Sequence, residues 1–100
     1  MNDWLPMDEE QSKDQIQELL VLLGDSPKRV LDIGCGNGRV LLPIALAGHI
    51  VTGIDIDPKA ISACAQACAE VDIDATLMDG NVLDVLPLEN AFDVVICCGN

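Results

Sequence analysis

Basic residues are scarce in this chain: five Lys and Arg stand against 17 Asp and Glu, a formal net charge of −12 over 100 residues. That balance disfavours direct binding to nucleic acid phosphates, which calls for a basic face. Histidine is scarcer still. His49 is the only one, and the five cysteines at 35, 64, 68, 97 and 98 include no C-x-x-C pair, so a zinc site lacks its second pair of ligands. The cysteine count is odd, which suits reduced thiols acting as small hydrophobes in a reducing compartment. No apolar run reaches the roughly 18 residues of a membrane span. With no secretory leader read at the start either, the expectation is a cytoplasmic chain that does not enter a membrane. Repeats and low-complexity tracts are also lacking, and the length suits one small domain.

What the chain does have is concentrated in Val30-Leu31-Asp32-Ile33-Gly34-Cys35-Gly36-Asn37-Gly38, an apolar strand running straight into three alternating glycines. Glycine reaches φ > 0 and lets backbone N–H groups come close to a ligand, so the spacing predicts a cofactor loop. An apolar run restarts at Val40 and ends at Gly48, which reads as the helix after such a loop, with Pro43 removing one backbone bond near its first turns. In the dinucleotide fingerprint G-x-G-x-x-G the third glycine would fall at position 39, where Arg39 stands, which weakens a nicotinamide reading.

Three further segments follow in order. Ile50 to Asp55 is an apolar strand ending in acid, where a carboxylate can accept from two ribose hydroxyls, and Asp57-Pro58 reads as a helix cap and first turn. The helix predicted over Pro58 to Val71 places Ile61, Ala65, Cys68 and Ala69 inward. Ala75 to Asn81 is a short strand closing on Asp79-Gly80, and Asp93 precedes the unbroken apolar run Val94-Val95-Ile96-Cys97-Cys98, the pattern of a buried parallel strand. Ahead of them lies an acidic leader to about Ser12. Then comes an S-x-x-Q capping box at Ser12 and Gln15, with Ile16, Leu19, Leu20 and Leu23 at helical spacing until Gly24. Trp4 either belongs to a lid over a ligand or anchors the terminus.

D-x-G-x-G-x-G from Asp32, followed by the acids at Asp55 and Asp79 and the strand after Asp93, resembles the class I S-adenosylmethionine-dependent methyltransferases over residues 28 to 100. The ending Cys97-Cys98-Gly99-Asn100 resembles more narrowly the glycine N-methyltransferase-like small-molecule enzymes. The resemblance implies an α/β Rossmann-like fold, a three-layer αβα sandwich whose parallel sheet has strand order 3-2-1-4. It also implies truncation, because the family's sheet has about seven strands. Residues 1–24 would be leader and amphipathic helix, and 25–100 the amino-terminal half of a longer cofactor-binding domain.

The cofactor implied is S-adenosylmethionine, with Gly34, Gly36 and Gly38 at its amino-acid end and Asp32 orienting its ammonium. Asp55 would hold the ribose, Ile56 would pack on the adenine, and Asp79 and Gly80 would meet its edge. Cys35 and Cys97 complete the implied contacts, and Asn100 is a candidate substrate contact or simply a polar strand end. No general base and no metal ligand can be named. The implied activity is methyl transfer to a small molecule, without nucleic acid or membrane as partner for this half. Two other readings remain: a non-catalytic cofactor-binding or interaction module, self-associating through the bare edge of the fourth strand, and an NAD-dependent Rossmann enzyme.

Overall fold

A computed structural model describes residues 9–84 and 91–97 of the chain. Trp4, Cys98 and Asn100 therefore lie outside the described residues. The elements run α1 (Glu9–Leu23), β1 (Arg29–Ile33), α2 (Leu41–Leu46), β2 (Ile50–Asp55), α3 (Pro58–Glu70), β3 (Thr76–Asp79), a 3-10 turn at Val82–Asp84, and β4 (Val94–Ile96). All strand pairs are parallel and the sheet order is β3-β2-β1-β4, as expected. With β1 central, Asp32 lies opposite Gly53 of β2 and Ile96 of β4.

The sheet divides its side chains by the two-residue period of a strand. On one face Val30, Val51, Leu77, Val94 and Ile96 join a core with Leu41 and Ile44 of α2, Cys64 and Cys68 of α3, and Leu23 of α1. Ile16, Leu19 and Leu20 pack against the same core, so the predicted apolar stripe of α1 is correct, and the helix packs on α2. On the other face Leu31 and Ile54 make a smaller cluster with Ile33, Met78, Val82 and Phe92. Among the described residues all three helices contribute to the first face and none to the second.

Several local expectations shift. The proposed capping box is replaced: α1 already begins at Glu9, so Ser12 sits inside the helix. Pro43 is the third residue of a six-residue helix, so its missing N–H falls in the first turn, where a proline costs least. In α3 the inward stripe is Ile61, Cys64 and Cys68, whereas Ala65 and Ala69 face solvent. Positions 61, 64 and 68 obey the i, i+3, i+7 spacing of one face; the predicted set also had helical spacing, but its face is rotated towards Ala65 and Ala69. The fourth strand is shorter than expected and only half-buried: Val95 is 55% exposed, and among the described residues no helix covers its face.

Two local devices fix the ends of the sheet. At the amino ends of the strands, His49 is buried and its Nδ1 accepts from Lys28 N–H at 3.0 Å. Beside it Asp93 clasps Arg29: Asp93 Oδ2 accepts from Arg29 N–H at 2.9 Å, Oδ1 from the guanidinium at 2.9 Å, and Asp93 N–H donates to Arg29 O at 2.8 Å. The guanidinium and backbone bonds hold the Asp93 carboxyl down at about 2.

Candidate functional site

The carboxyl ends of β1 and β2 open onto two adjoining pockets, the crevice position expected of an open parallel sheet. The first, about 260 Å³, is lined by residues between Asp32 and Val40 together with Asp55. The second, about 210 Å³, is lined by Ile33, Gly34, Ile54, Asp55, Ile56, Gly80, Asn81 and Val82. Gly34 and Asp55 belong to both. One wall thus carries charge, the other isoleucines, and the Asp55 carboxylate stands at their junction.

The glycine loop is shaped by internal hydrogen bonds. Gly34 and Cys35 N–H both donate to Ile54 O, at 2.7 and 3.2 Å, and Gly38 N–H donates to Cys35 O at 3.0 Å. Gly36 N–H donates to Asp55 Oδ2 at 2.9 Å. The expectation that these N–H groups would face a ligand is therefore corrected: the loop spends them on β2 and on itself. A pyrophosphate needs such donors free and a positive field, so the dinucleotide alternative loses its physical basis here.

Close packing under the loop explains two glycines. Gly38 has φ of 97°, and a Cβ there would lie 3.0 Å from Cys64 Sγ. Gly53, which sequence reading left as an ordinary strand residue, faces the loop from β2; a Cβ would meet Leu41 Cδ1 at 2.7 Å and Cys35 Sγ at 2.8 Å. Cys35 thus fills the space that Gly53 vacates. It is buried, and desolvation followed by the Asp32 and Asp55 charges pushes its thiol to about 11, so it is a packing group.

Asp55 is oriented by two backbone donors, Gly36 N–H on Oδ2 and Asp57 N–H on Oδ1, each at 2.9 Å. An ionised carboxylate offers about four acceptor sites, so about two remain for a ligand. Asp57 in turn caps α3, accepting from Lys59 N–H at 2.9 Å as predicted. Asp32 is 3% exposed; burial is the main cause that raises its carboxyl to about 6, against the pull of the Arg39 charge and with the push of Asp55. A buried acid in that state is returned to its anionic form by a cation brought into the pocket.

The remaining sequence candidates are placed as follows. Ile56 is 79% exposed and lines the second pocket, as does Gly80, whose N–H donates to Asp55 O at 2.9 Å. Asp79 is exposed at the end of β3, in register with Asp55. Cys97 is exposed beyond β4 and lines neither pocket. Sequence reading missed Arg39, Asn37, Asn81 and Val82 as wall residues. Only Arg39 had a signal, as the break in the dinucleotide fingerprint. Among the described residues no cluster of three metal-ligating side chains occurs, and no helix is long and apolar enough to cross a membrane.

The sequence model of the methyltransferase domain family matches residues 30–100. A magnesium-protoporphyrin O-methyltransferase from a Synechocystis strain is 34% identical over 89 residues, covering 88% of this chain and 39% of that protein. A ribosomal RNA small subunit methyltransferase C from Alcanivorax borkumensis is 29% identical over 70 residues, 70% of this chain and 21% of that one. Among solved structures, magnesium protoporphyrin IX methyltransferase from Synechocystis with bound S-adenosylmethionine superposes with a TM-score of 0.70 at 27% identity, covering 88% of this chain and 42% of that one. The chain spans about two fifths of the protoporphyrin enzyme and about one fifth of the RNA enzyme. The family match takes in all four strands and both pockets, and the chain accordingly belongs to the methyltransferase domain family, in its class I S-adenosylmethionine-dependent branch.

Proposed function

We propose that the chain is the cofactor-binding part of an S-adenosylmethionine-dependent methyltransferase acting on a small molecule. The observation that carries this is Asp55 at the junction of a charged and an apolar pocket. S-adenosylmethionine has that order of parts: a zwitterionic amino-acid end, a diol, and a flat ring. When bound, it supplies a methyl group already activated on a sulfonium, so the protein's task is positioning.

In this reading Asp32 meets the ammonium, and its displaced pKa returns to the carboxylate range as the ligand cation enters. Asp55, held by Gly36 and Asp57, accepts from the ribose hydroxyls. Ile56 covers one adenine face, with Asp79 and Gly80 at the ring edge. Gly34, Gly36 and Gly38 give the loop its tight path and Cys35 forms its floor, whereas Cys97, which lines neither pocket, is given no contact. Asn100, outside the described residues, is assigned to the acceptor side.

His49 is not available as a general base. It sits before β2, and the site lies beyond the other end of that six-residue strand, about 20 Å away at strand rise. A small acceptor is favoured over RNA by the charge of −12, and the protoporphyrin relative points the same way. We place the protein in the cytoplasm, a reading supported by four free thiols among the described residues.

The test is calorimetric titration with S-adenosylmethionine, S-adenosylhomocysteine and NADH, with circular dichroism to establish folding. Saturable binding of the two sulfur ligands without NADH is expected. A folded protein that binds NADH alone, or none of the three, removes the cofactor assignment.

A further inference from the structure

We propose that Asn37-Gly38 is a self-modification site: when the glycine loop opens, the Gly38 nitrogen attacks the Asn37 side-chain amide, and the isoaspartate that results ends cofactor binding. The chemical step stands on this chain alone, and its consequence rests on the cofactor assignment above.

An asparagine is most open to this attack when glycine follows it, because glycine has no side chain to shield its nitrogen. The fold imposes that glycine. Gly38 holds φ of 97°, and a Cβ there would lie 3.0 Å from Cys64 Sγ. Asn37 itself is exposed at the wall of the first pocket, and among the described residues no hydrogen bond holds its side chain.

In the closed loop the step is blocked. Gly38 is buried and its N–H donates to Cys35 O at 3.0 Å, so the nucleophile is both shielded and engaged. Reaction therefore needs a local opening that breaks this bond. In the open loop the bond from Gly38 N to Asn37 Cγ forms, the bond from Cγ to the side-chain nitrogen breaks, and ammonia leaves with the proton that Gly38 gives up through solvent. Water then opens the cyclic imide, and its addition at the main-chain carbonyl leaves isoaspartate. Nothing is oxidised or reduced.

The product adds a methylene to the main chain of a loop whose N–H groups at 34, 35, 36 and 38 are committed, which displaces Gly38 from Cys35 and Cys64. It also sets a further carboxylate beside Asp32 and Asp55, against the anionic group of the ligand's amino-acid end.

The experiment incubates the full-length protein at mildly alkaline pH without ligand, with S-adenosylhomocysteine, and unfolded in urea. Residue 37 is followed by peptide mapping with endoproteinase Asp-N, which does not cleave at isoaspartate, and calorimetry measures ligand binding before and after. The native protein is expected to convert more slowly than the unfolded chain, by a factor on the order of 10 or more. Ligand at ten times its Kd slows conversion by about a further tenfold, since only the unliganded loop opens. Converted protein, separated by its added charge, loses measurable affinity. Asn37→Gln, whose longer side chain closes the ring poorly, gives no product at 37.

Native protein that stays intact while the unfolded chain reacts, or that reacts as fast as the unfolded chain, overturns the proposal. So does a ligand that binds without slowing conversion, or converted protein that binds as the native does. Conversion at 37 in a protein that shows no binding of S-adenosylhomocysteine at the outset supports the modification site and defeats the cofactor assignment instead.

Discussion

At Asp32 the fold keeps a carboxyl group 3% exposed, and burial moves it from 3.8 to about 6. Between these values the folded chain holds a proton that the unfolded chain has released. Stability therefore falls as pH rises through that window, and above it the cost is on the order of 3 kcal/mol. Asp32→Asn should remove this pH dependence and raise stability near pH 7 by about 1–3 kcal/mol, read from urea midpoints against pH, while weakening S-adenosylmethionine binding. A variant with the native pH profile would mean that the acid is not the group responsible. Asp93 acts in the opposite sense: its depressed carboxyl stabilises the fold above pH 3.8, and that contribution is lost as pH falls towards about 2. Thiol chemistry separates by burial too. Iodoacetamide at pH 8 should label exposed Cys97 well before buried Cys35 and Cys64, whose thiols stand near 11 and 12; early labelling of Cys35 on peptide mapping would contradict its packed position. At this scale Asp32, Asp55 and the three glycines were legible because strand, loop and acid are adjacent in sequence. The contact of Gly53 with Leu41 and Cys35 was not, since it joins residues distant in the chain.

The elements were readable where their signals were local and misread where they were faint. Asp57-Pro58 carries both a capping side chain and a preset φ, and α3 starts there. Asp57→Ala should cost about 1 kcal/mol in thermal or urea unfolding, and a loss near zero would show that Pro58 alone sets the start. The inward face of α3 was misjudged because a run of alanines gives weak periodicity, leaving Cys64 and Cys68 to define a phase that cysteine rarely announces. Ser12 had the chemistry of a cap but lies within α1, where its hydroxyl accepts from Arg39; a side-chain partner from another element is invisible to a local pattern. Gly53→Ala tests how tightly α2, β2 and the loop interlock. With Leu41 fully buried and Cys35 at 2.8 Å, the added methyl should destabilise by about 1–3 kcal/mol. A variant as stable as the native protein would show that Leu41 moves aside freely.

For the whole molecule, the parallel sheet and its order followed from the series of motifs, and the structure bears them out. The half-exposed state of β4 did not, because Val94-Val95-Ile96 reads as continuous apolar sequence whether or not a second helical layer is present. Among the described residues no helix covers that face, and β4 is an edge of the sheet beside an exposed Val95. The 100-residue chain in isolation should therefore associate with rising concentration in sedimentation experiments, and Val95→Lys should hold it closer to the monomer. Equal behaviour of the two chains would acquit this edge. The first pocket has a further property: every residue that lines it falls between Asp32 and Asp55, on one strand-loop-helix-strand unit. Closing so short a stretch of chain costs little entropy. During synthesis this unit leaves the ribosome before β3 and β4, so the floor and walls that receive the charged end of the ligand can be assembled while the rest of the sheet is still being made.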